Sequence, residues 1–133
     1  MKILALDIGD VWTGIAISDS LGITTRPYKT VATEKLKAEL QEICELEPIK
    51  TIVVGHPKTM KGTKSAQTIK TEQMAQELEN LLPTIKWVLW DERLSSKQAA
   101  QLVRPNTKEK KLASHSIAAA LFLMSYLDSL KFQ

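Results

Sequence analysis

Two carboxylates and a histidine stand where side chains can do chemistry. Asp7 ends the apolar run 2–7 (KILALD), His56 follows the run 50–54 (KTIVV), and Glu92 follows the run 85–90 (IKWVLW). Each run reads as a strand, and in open sheets ligands bind beyond the carboxyl ends of parallel strands. If these three strands run parallel, Asp7, His56 and Glu92 gather near one edge. Two carboxylates there repel each other unless a cation lies between them. A hard divalent ion such as Mg²⁺ suits the place, because it takes oxygen ligands and keeps waters for substrate phosphates. Two such ions would stabilise the attacking and leaving oxygens of a phosphodiester displacement. Structural roles compete with each assignment. Asp7 can cap a turn, Glu92 can pair with Arg93, and His56 between Gly55 and Pro57 reads as a turn residue. Asp91 is adjacent to Glu92, should point elsewhere, and reads as a cap or local pair. Gly9 permits close approach of a substrate to the backbone, or is a turn glycine like Gly14 and Gly22. Trp12 can stack on a base or pack a hairpin tip.

The elements that would carry these residues follow from periodicity and breakers. Runs 2–7, 14–19 and 26–32 with tight connections predict an antiparallel meander. Thr33 reads as the N-cap of a helix bearing Leu36, Leu40, Ile43 and Cys44, ended by Pro48. After the fourth strand (50–54) comes a lysine-bearing loop, then a helix capped by Thr63 or Ser65. That helix carries Ile69, Met74, Leu78 and Leu81 and stops at Pro83. The fifth strand, 85–90, contributes Trp87 and Trp90 to the core. Ser95 or Ser96 caps a short helix to about position 103, Pro105 and Asn106 open a polar loop, and 112–130 form a long terminal helix. The order β-β-β-α-β-α-β-α-α predicts an α/β fold, a mixed five-stranded sheet flanked by helices.

Bulk properties narrow the class. A chain of 133 residues makes a single domain, 1–133, with one core. Hydrophobic residues at 44% and charged residues at 25% fit a soluble globular chain. The longest apolar run, 117–124, falls far short of the ~20 residues that span a bilayer. With no signal-peptide pattern, a cytoplasmic location is expected. Cys44 has no second cysteine to bridge, which fits a reducing compartment and a core role. The net charge of +3 permits nucleic-acid binding. Its distribution is more informative. Lys58, Lys61 and Lys64 fall in one expected loop, and Arg104, Lys108, Lys110 and Lys111 in another. Two basic loops near one site would track a phosphate backbone; each alone reads equally as a solvated loop.

Four blocks together carry a family resemblance: LALDIGDVWTGIAISDSLGIT (4–25), IVVGHPKTMKGTKS (52–65), WDERLSSKQA (90–99) and SHSIAAALFLMSYLD (114–128). In this order and spacing the chain resembles the YqgF/RuvX family of pre-16S rRNA nucleases and Holliday junction resolvase-like proteins. The resemblance implies a ribonuclease-H-like fold, with strands one to three antiparallel and strands one, four and five parallel. It also implies an acidic triad. Asp7 matches the strand-one aspartate and Glu92 the glutamate of the DER block. The third family position, just before the Ala-Ala pair of the last helix, is an aspartate, and here it is His115.

Imidazole can bind a metal but brings no negative charge, and it suits Mn²⁺ or Zn²⁺ better than Mg²⁺. His115 can alternatively serve as an acid or base near the scissile phosphate, or mark a site that has lost its third ligand. Asp128 is no substitute, since it lies about 20 Å further along the helix and on another side. Glu109 would reach only if its loop folded back. The family also commonly has a basic residue where Trp12 stands. Lys58, Lys61, Lys64, Arg93 and Lys108 are the candidates to hold substrate, with Gly9 and Trp12 beside the site.

The resemblance thus implies a Mg²⁺- or Mn²⁺-dependent nuclease acting on structured nucleic acid, foremost in 5′-end processing of pre-16S rRNA. A branched DNA junction is the second substrate. A non-catalytic member that binds RNA or ribosome precursors is the rival favoured by His115 and Trp12. An ATP-handling domain related to sugar kinases is disfavoured, because those proteins clamp nucleotide between two halves. Monomer and homodimer both stay open.

Overall fold

Strand β1 (Lys2–Ile8) is apolar on both faces and so must be covered on both, which places it centrally in a sheet. It pairs antiparallel with β2 (Trp12–Ser18) and parallel with β4 (Ile49–His56). With β3 (Thr25–Ala32) and β5 (Lys86–Asp91) the order is β3-β2-β1-β4-β5. The expected meander β1-β2-β3 is present, and β1, β4 and β5 run parallel. The computed structural model describes residues 1–57, 65–91 and 108–131, with side chains of the last stretch from 113 onward. The helix expected at 95–103 and the loop at 105–106 lie outside the described residues.

Helices α1 (Leu36–Leu46) and α2 (Ala66–Leu81) cover one face, and α3 (Lys108–Leu130) covers the other. On the first face Leu4, Leu6 and Ile8 of β1 join Ile52 and Val54 of β4. They meet Leu36, Leu40 and Ile43 of α1 and Ala75 and Leu78 of α2. On the second, Ile3, Ala5, Ala16 and Val53 meet Ala119, Phe122, Leu123, Tyr126 and Leu127 of α3. Side chains alternate along a strand, so this partition fixes the sides of the neighbouring polar residues. Asp7 turns to the α3 face and Ile8 to the α1–α2 face.

Several local expectations change in place. Thr33 does not cap a helix with its side chain. It heads a 3₁₀ turn, Thr33–Lys35, and its hydroxyl is engaged elsewhere. Ser65, rather than Thr63, caps α2 in a reciprocal box with Thr68, each side chain bonding the other's backbone N–H at 3.2 Å. Trp12 is the first residue of β2 instead of a turn residue, and β4 continues through Gly55 to His56. Lys108, expected in a loop, starts α3. From 108 to 130 there is neither Gly nor Pro, and Lys and Glu are good helix formers.

The aromatic expectations stand. Trp87 packs against the α1–α2 cluster and donates Nε1–H to the Leu82 carbonyl at 3.1 Å. Trp90 meets Tyr126 of α3 edge-on at 5.3 Å. Cys44 is half-buried against the α1–α2 core, and burial pushes its thiol up. Among the described residues no helix is long and apolar enough to cross a membrane.

Candidate functional site

Asp7 stands opposite Gly14 in the β1–β2 register. Gly14 is no turn residue; it is the place where α3 touches the sheet. A Cβ there would lie 2.1 Å from the carbonyl carbon and oxygen of His115 and 2.5 Å from the amide nitrogen of Ser116. Only glycine admits helix backbone at that distance. This contact carries His115 over the end of β1, with its Nδ1 4.0 Å from Asp7 Oδ2. Both side chains reach solvent, at 35% for His115 and 23% for Asp7. Next to His115 on the helix, Ser116 is buried and donates its hydroxyl to the Ala113 carbonyl at 3.0 Å.

A 4.0 Å separation is too long for a hydrogen bond. It suits a charge pair when the imidazole is protonated, or a cation between the two groups with bonds of about 2.0–2.2 Å. One carboxylate oxygen and one imidazole nitrogen form a mixed donor set that favours Mn²⁺ over Mg²⁺. Among the described residues, no group of three or more His, Cys, Asp or Glu side chains is arranged to hold a metal ion. Glu92, Arg93, Lys58, Lys61 and Lys64 lie outside the described residues, and Lys108 is described by its backbone alone.

The turn between β1 and β2 is built tightly. The Gly9 amide donates to the Trp12 carbonyl at 2.9 Å, and a Cβ on Gly9 would come within 2.7 Å of that same oxygen. Closing this turn therefore requires glycine at position 9. Thr33 ties the turn to the start of the α1 segment. Its hydroxyl donates to the Gly9 carbonyl at 2.8 Å and lies 2.8 Å from the hydroxyl of buried Thr13, and its amide donates to the Val11 carbonyl at 2.8 Å. Gln67 of α2 adds a bond from its side-chain amide to the Ile8 carbonyl at 3.1 Å. Sequence patterns gave Thr33 a different task, and no local signal points to this one.

His56 does not join Asp7. Along β4, Val53 packs toward α3 while Val54 packs toward α1 and α2, so His56 belongs to the latter side. There it is buried and its Nε2 lies 2.7 Å from Glu72 Oε1 of α2. The expected gathering of Asp7, His56 and Glu92 is thus corrected for the histidine: it reaches the same edge on the opposite face. Asp91 is level with His56 in the β4–β5 register and shares that face, apart from Asp7. Trp12 is half-buried at the start of β2.

Comparison with known proteins bears on the family and the fold. A family model described as RuvX, Holliday junction resolvase, matches residues 1–129. A relative from Carboxydothermus hydrogenoformans named "Putative pre-16S rRNA nuclease" is 35% identical, with 96% of each chain covered. One of the same name from Onion yellows phytoplasma is 41% identical, covering 96% of this chain and 89% of the relative. Among solved structures, RuvC from T. thermophilus in complex with a Holliday junction substrate superposes with a TM-score of 0.61 at 12% identity, covering 98% of this chain and 96% of the other. The Fowlpox virus resolvase bound to Holliday junction DNA gives 0.59 at 16% identity, covering 98% and 99%. These last two share the ribonuclease-H-like fold alone. From the full-length family match and the identities to its named relatives, the chain belongs to the RuvX family.

Proposed function

We propose that this protein is a divalent-metal-dependent nuclease that hydrolyses phosphodiester bonds of structured RNA, with processing of the 5′ end of pre-16S rRNA as its work in the cytoplasm. The observation that carries the reading is the pair Asp7 and His115, 4.0 Å apart at the carboxyl end of β1 and open to solvent. The names of the relatives support the substrate. In this reading Asp7, His115 and Glu92 hold the ion. When bound, the ion supplies Lewis acidity at the scissile phosphate and a nucleophilic water at neutral pH. Asp7 contributes the negative charge that draws the cation in. His115 takes the family's third place with a neutral donor, so the site carries one charge fewer and favours Mn²⁺. If His115 serves instead as an acid or base, with Nδ1 turned to Asp7, Nε2 is the ring atom that would exchange a proton with the substrate. Lys58, Lys61, Lys64, Arg93 and Lys108 would meet the phosphate backbone.

The test is cleavage of a pre-16S rRNA 5′ segment by the purified protein with Mg²⁺ or Mn²⁺, compared with Asp7→Asn and His115→Asp. Cleavage that is stronger with Mn²⁺, lost in Asp7→Asn and gained with Mg²⁺ in His115→Asp is expected. RNA binding without cleavage under either ion would leave a non-catalytic RNA-binding protein instead. Branched DNA is the second reading, favoured by the description of the family, and preferential cutting of a four-way junction would establish it.

A further inference from the structure

On the α2 side of the β1–β2 turn lies a cleft of about 280 Å³ that the chemistry above does not use. We propose that it receives an unpaired nucleobase of the substrate strand, next to the scissile phosphate; this rests on the nuclease reading and names a part of its substrate recognition. Position is the first argument. Asp7 faces α3 and the following residue, Ile8, faces the cleft, so the two places are separated only by the sheet edge at Gly9. A strand with its phosphate over Asp7 can cross that edge within one nucleotide and turn the neighbouring base inward. Single-stranded bases are recognised in this splayed form, between apolar surfaces and with their polar edges bonded.

Chemistry is the second argument. Ile8 and Met74 give the cleft apolar surface. Gln67 gives it a fixed acceptor: its Nε2 is committed to the Ile8 carbonyl and lies 3.5 Å from Thr71 Oγ1, which leaves Oε1 without a donor among the described residues. Gln73 is an exposed amide on the same wall. Charge does not bar a base. Asp10 faces Lys70 at 3.4 Å and Glu77 faces Lys37 at 3.3 Å, so the two carboxylates at the cleft are each matched by a lysine and a neutral base enters without an unbalanced charge. The acceptor oxygens of Gln67, Asp10 and Glu77 favour a base with an exocyclic amine, adenine, cytosine or guanine, over uracil. Lys70 is held only loosely by Asp10, at 3.4 Å and largely exposed, and is free to turn to a flanking phosphate.

The experiment uses Asp7→Asn protein, and wild type with Ca²⁺ in place of the activating ion. The probe is an RNA substrate carrying 2-aminopurine at one position at a time around the mapped cut. One position beside the cut should change fluorescence on binding. Gln73→Trp, which fills the cleft from an exposed position, should abolish that change, and Gln73→Ala should retain it. In the otherwise wild-type protein, Gln73→Trp should lower kcat/KM about tenfold when an amine-bearing base occupies that position, with unchanged melting temperature. No position responding to Gln73→Trp, together with unchanged cleavage, would overturn the cleft and leave the nuclease standing. Absence of cleavage by wild type on RNA and on branched DNA would overturn the nuclease reading, whatever the fluorescence does.

Discussion

Replacing Gly14 by alanine tests whether the helix-to-sheet contact sets the site. The added methyl would meet the His115 carbonyl group at 2.1 Å and the Ser116 amide at 2.5 Å. Ordinary carbon contacts begin near 3.5 Å, so α3 must retreat by roughly 1.4 Å at this point. All the atoms met are backbone, and no rotamer change relieves the overlap. Further along, Phe122 and Leu123 are fully buried against the sheet and resist a shift of the whole helix. Overpacking of this kind costs about 1–3 kcal/mol. The retreat also lengthens the 4.0 Å gap between Asp7 and His115 to about 5 Å. A misplacement of about 1 Å in a catalytic constellation can cost on the order of 100-fold in rate. Urea unfolding, Mn²⁺ titration and single-turnover cleavage would be measured on Gly14→Ala and on Ile43→Ala, which destabilises the core at buried helix α1. Weaker Mn²⁺ binding and slower cleavage in Gly14→Ala than in an equally destabilised Ile43→Ala is expected. A Gly14→Ala protein as stable as wild type, with the same Mn²⁺ affinity, would refute the contact's role.

Thr33→Val should cost about 1–3 kcal/mol in urea unfolding, because it leaves the Gly9 carbonyl and the buried Thr13 hydroxyl without this partner, while Thr33→Ser should recover most of the loss. Lys29 donates to Glu39 at 2.6 Å, which raises its pKa above the ordinary 10.5. A cation whose folded pKa is raised gives stability that is fully present below the unfolded value and fades as pH climbs through the folded one. Glu39→Gln should therefore lower the unfolding free energy slightly at neutral pH, by under about 1 kcal/mol for a pair with 39% of the lysine side chain exposed. The difference should vanish at alkaline pH above the lysine range. Phe122→Ala should cost about 3–5 kcal/mol by thermal unfolding. Cys44 should react with iodoacetamide more slowly than a free small thiol and speed up in urea, since burial holds its thiol protonated.

Much of this architecture was legible because it rests on short-range pattern. Apolar runs ended by Asp7 and Trp90 mark strands, and Ser65 three residues before Thr68 marks a helix start. The errors share another cause. Thr33 has the residue type of a cap, but its hydroxyl finds partners in Gly9 and Thr13, 24 and 20 positions back. Gly14 looks like any turn glycine until α3, about a hundred residues later, comes down on it. His56 fails through parity. Ending β4 at Val54 hid the alternation that sends His56 to α2 and Glu72. In each case a partner distant in sequence outbid the local preference.

That parity also organises the site. Asp7 and Ile8 are neighbours in the chain, yet strand alternation gives each to a different face, one under α3 and one beside α2. Reactive groups on one face and a polar cleft on the other would be unrelated were the edge between them loose. It is not. Gly9 closes on Trp12, Thr33 holds Gly9, and Gln67 of α2 holds Ile8. Each of these bonds runs to backbone, so substitutions of neighbouring side chains leave the spacing between the faces intact. A substrate strand crossing this edge would meet a fixed distance between the phosphate position at Asp7 and the base position at Ile8. Rigid spacing of that kind selects for a strand that can splay one base, and a continuous stacked duplex cannot do so without unstacking. If the cleft takes a base as proposed, a junction between paired and unpaired nucleic acid should be cut in preference to uniform duplex, and equal cleavage of the two would refute a role for the rigid β1–β2 turn in choosing the substrate.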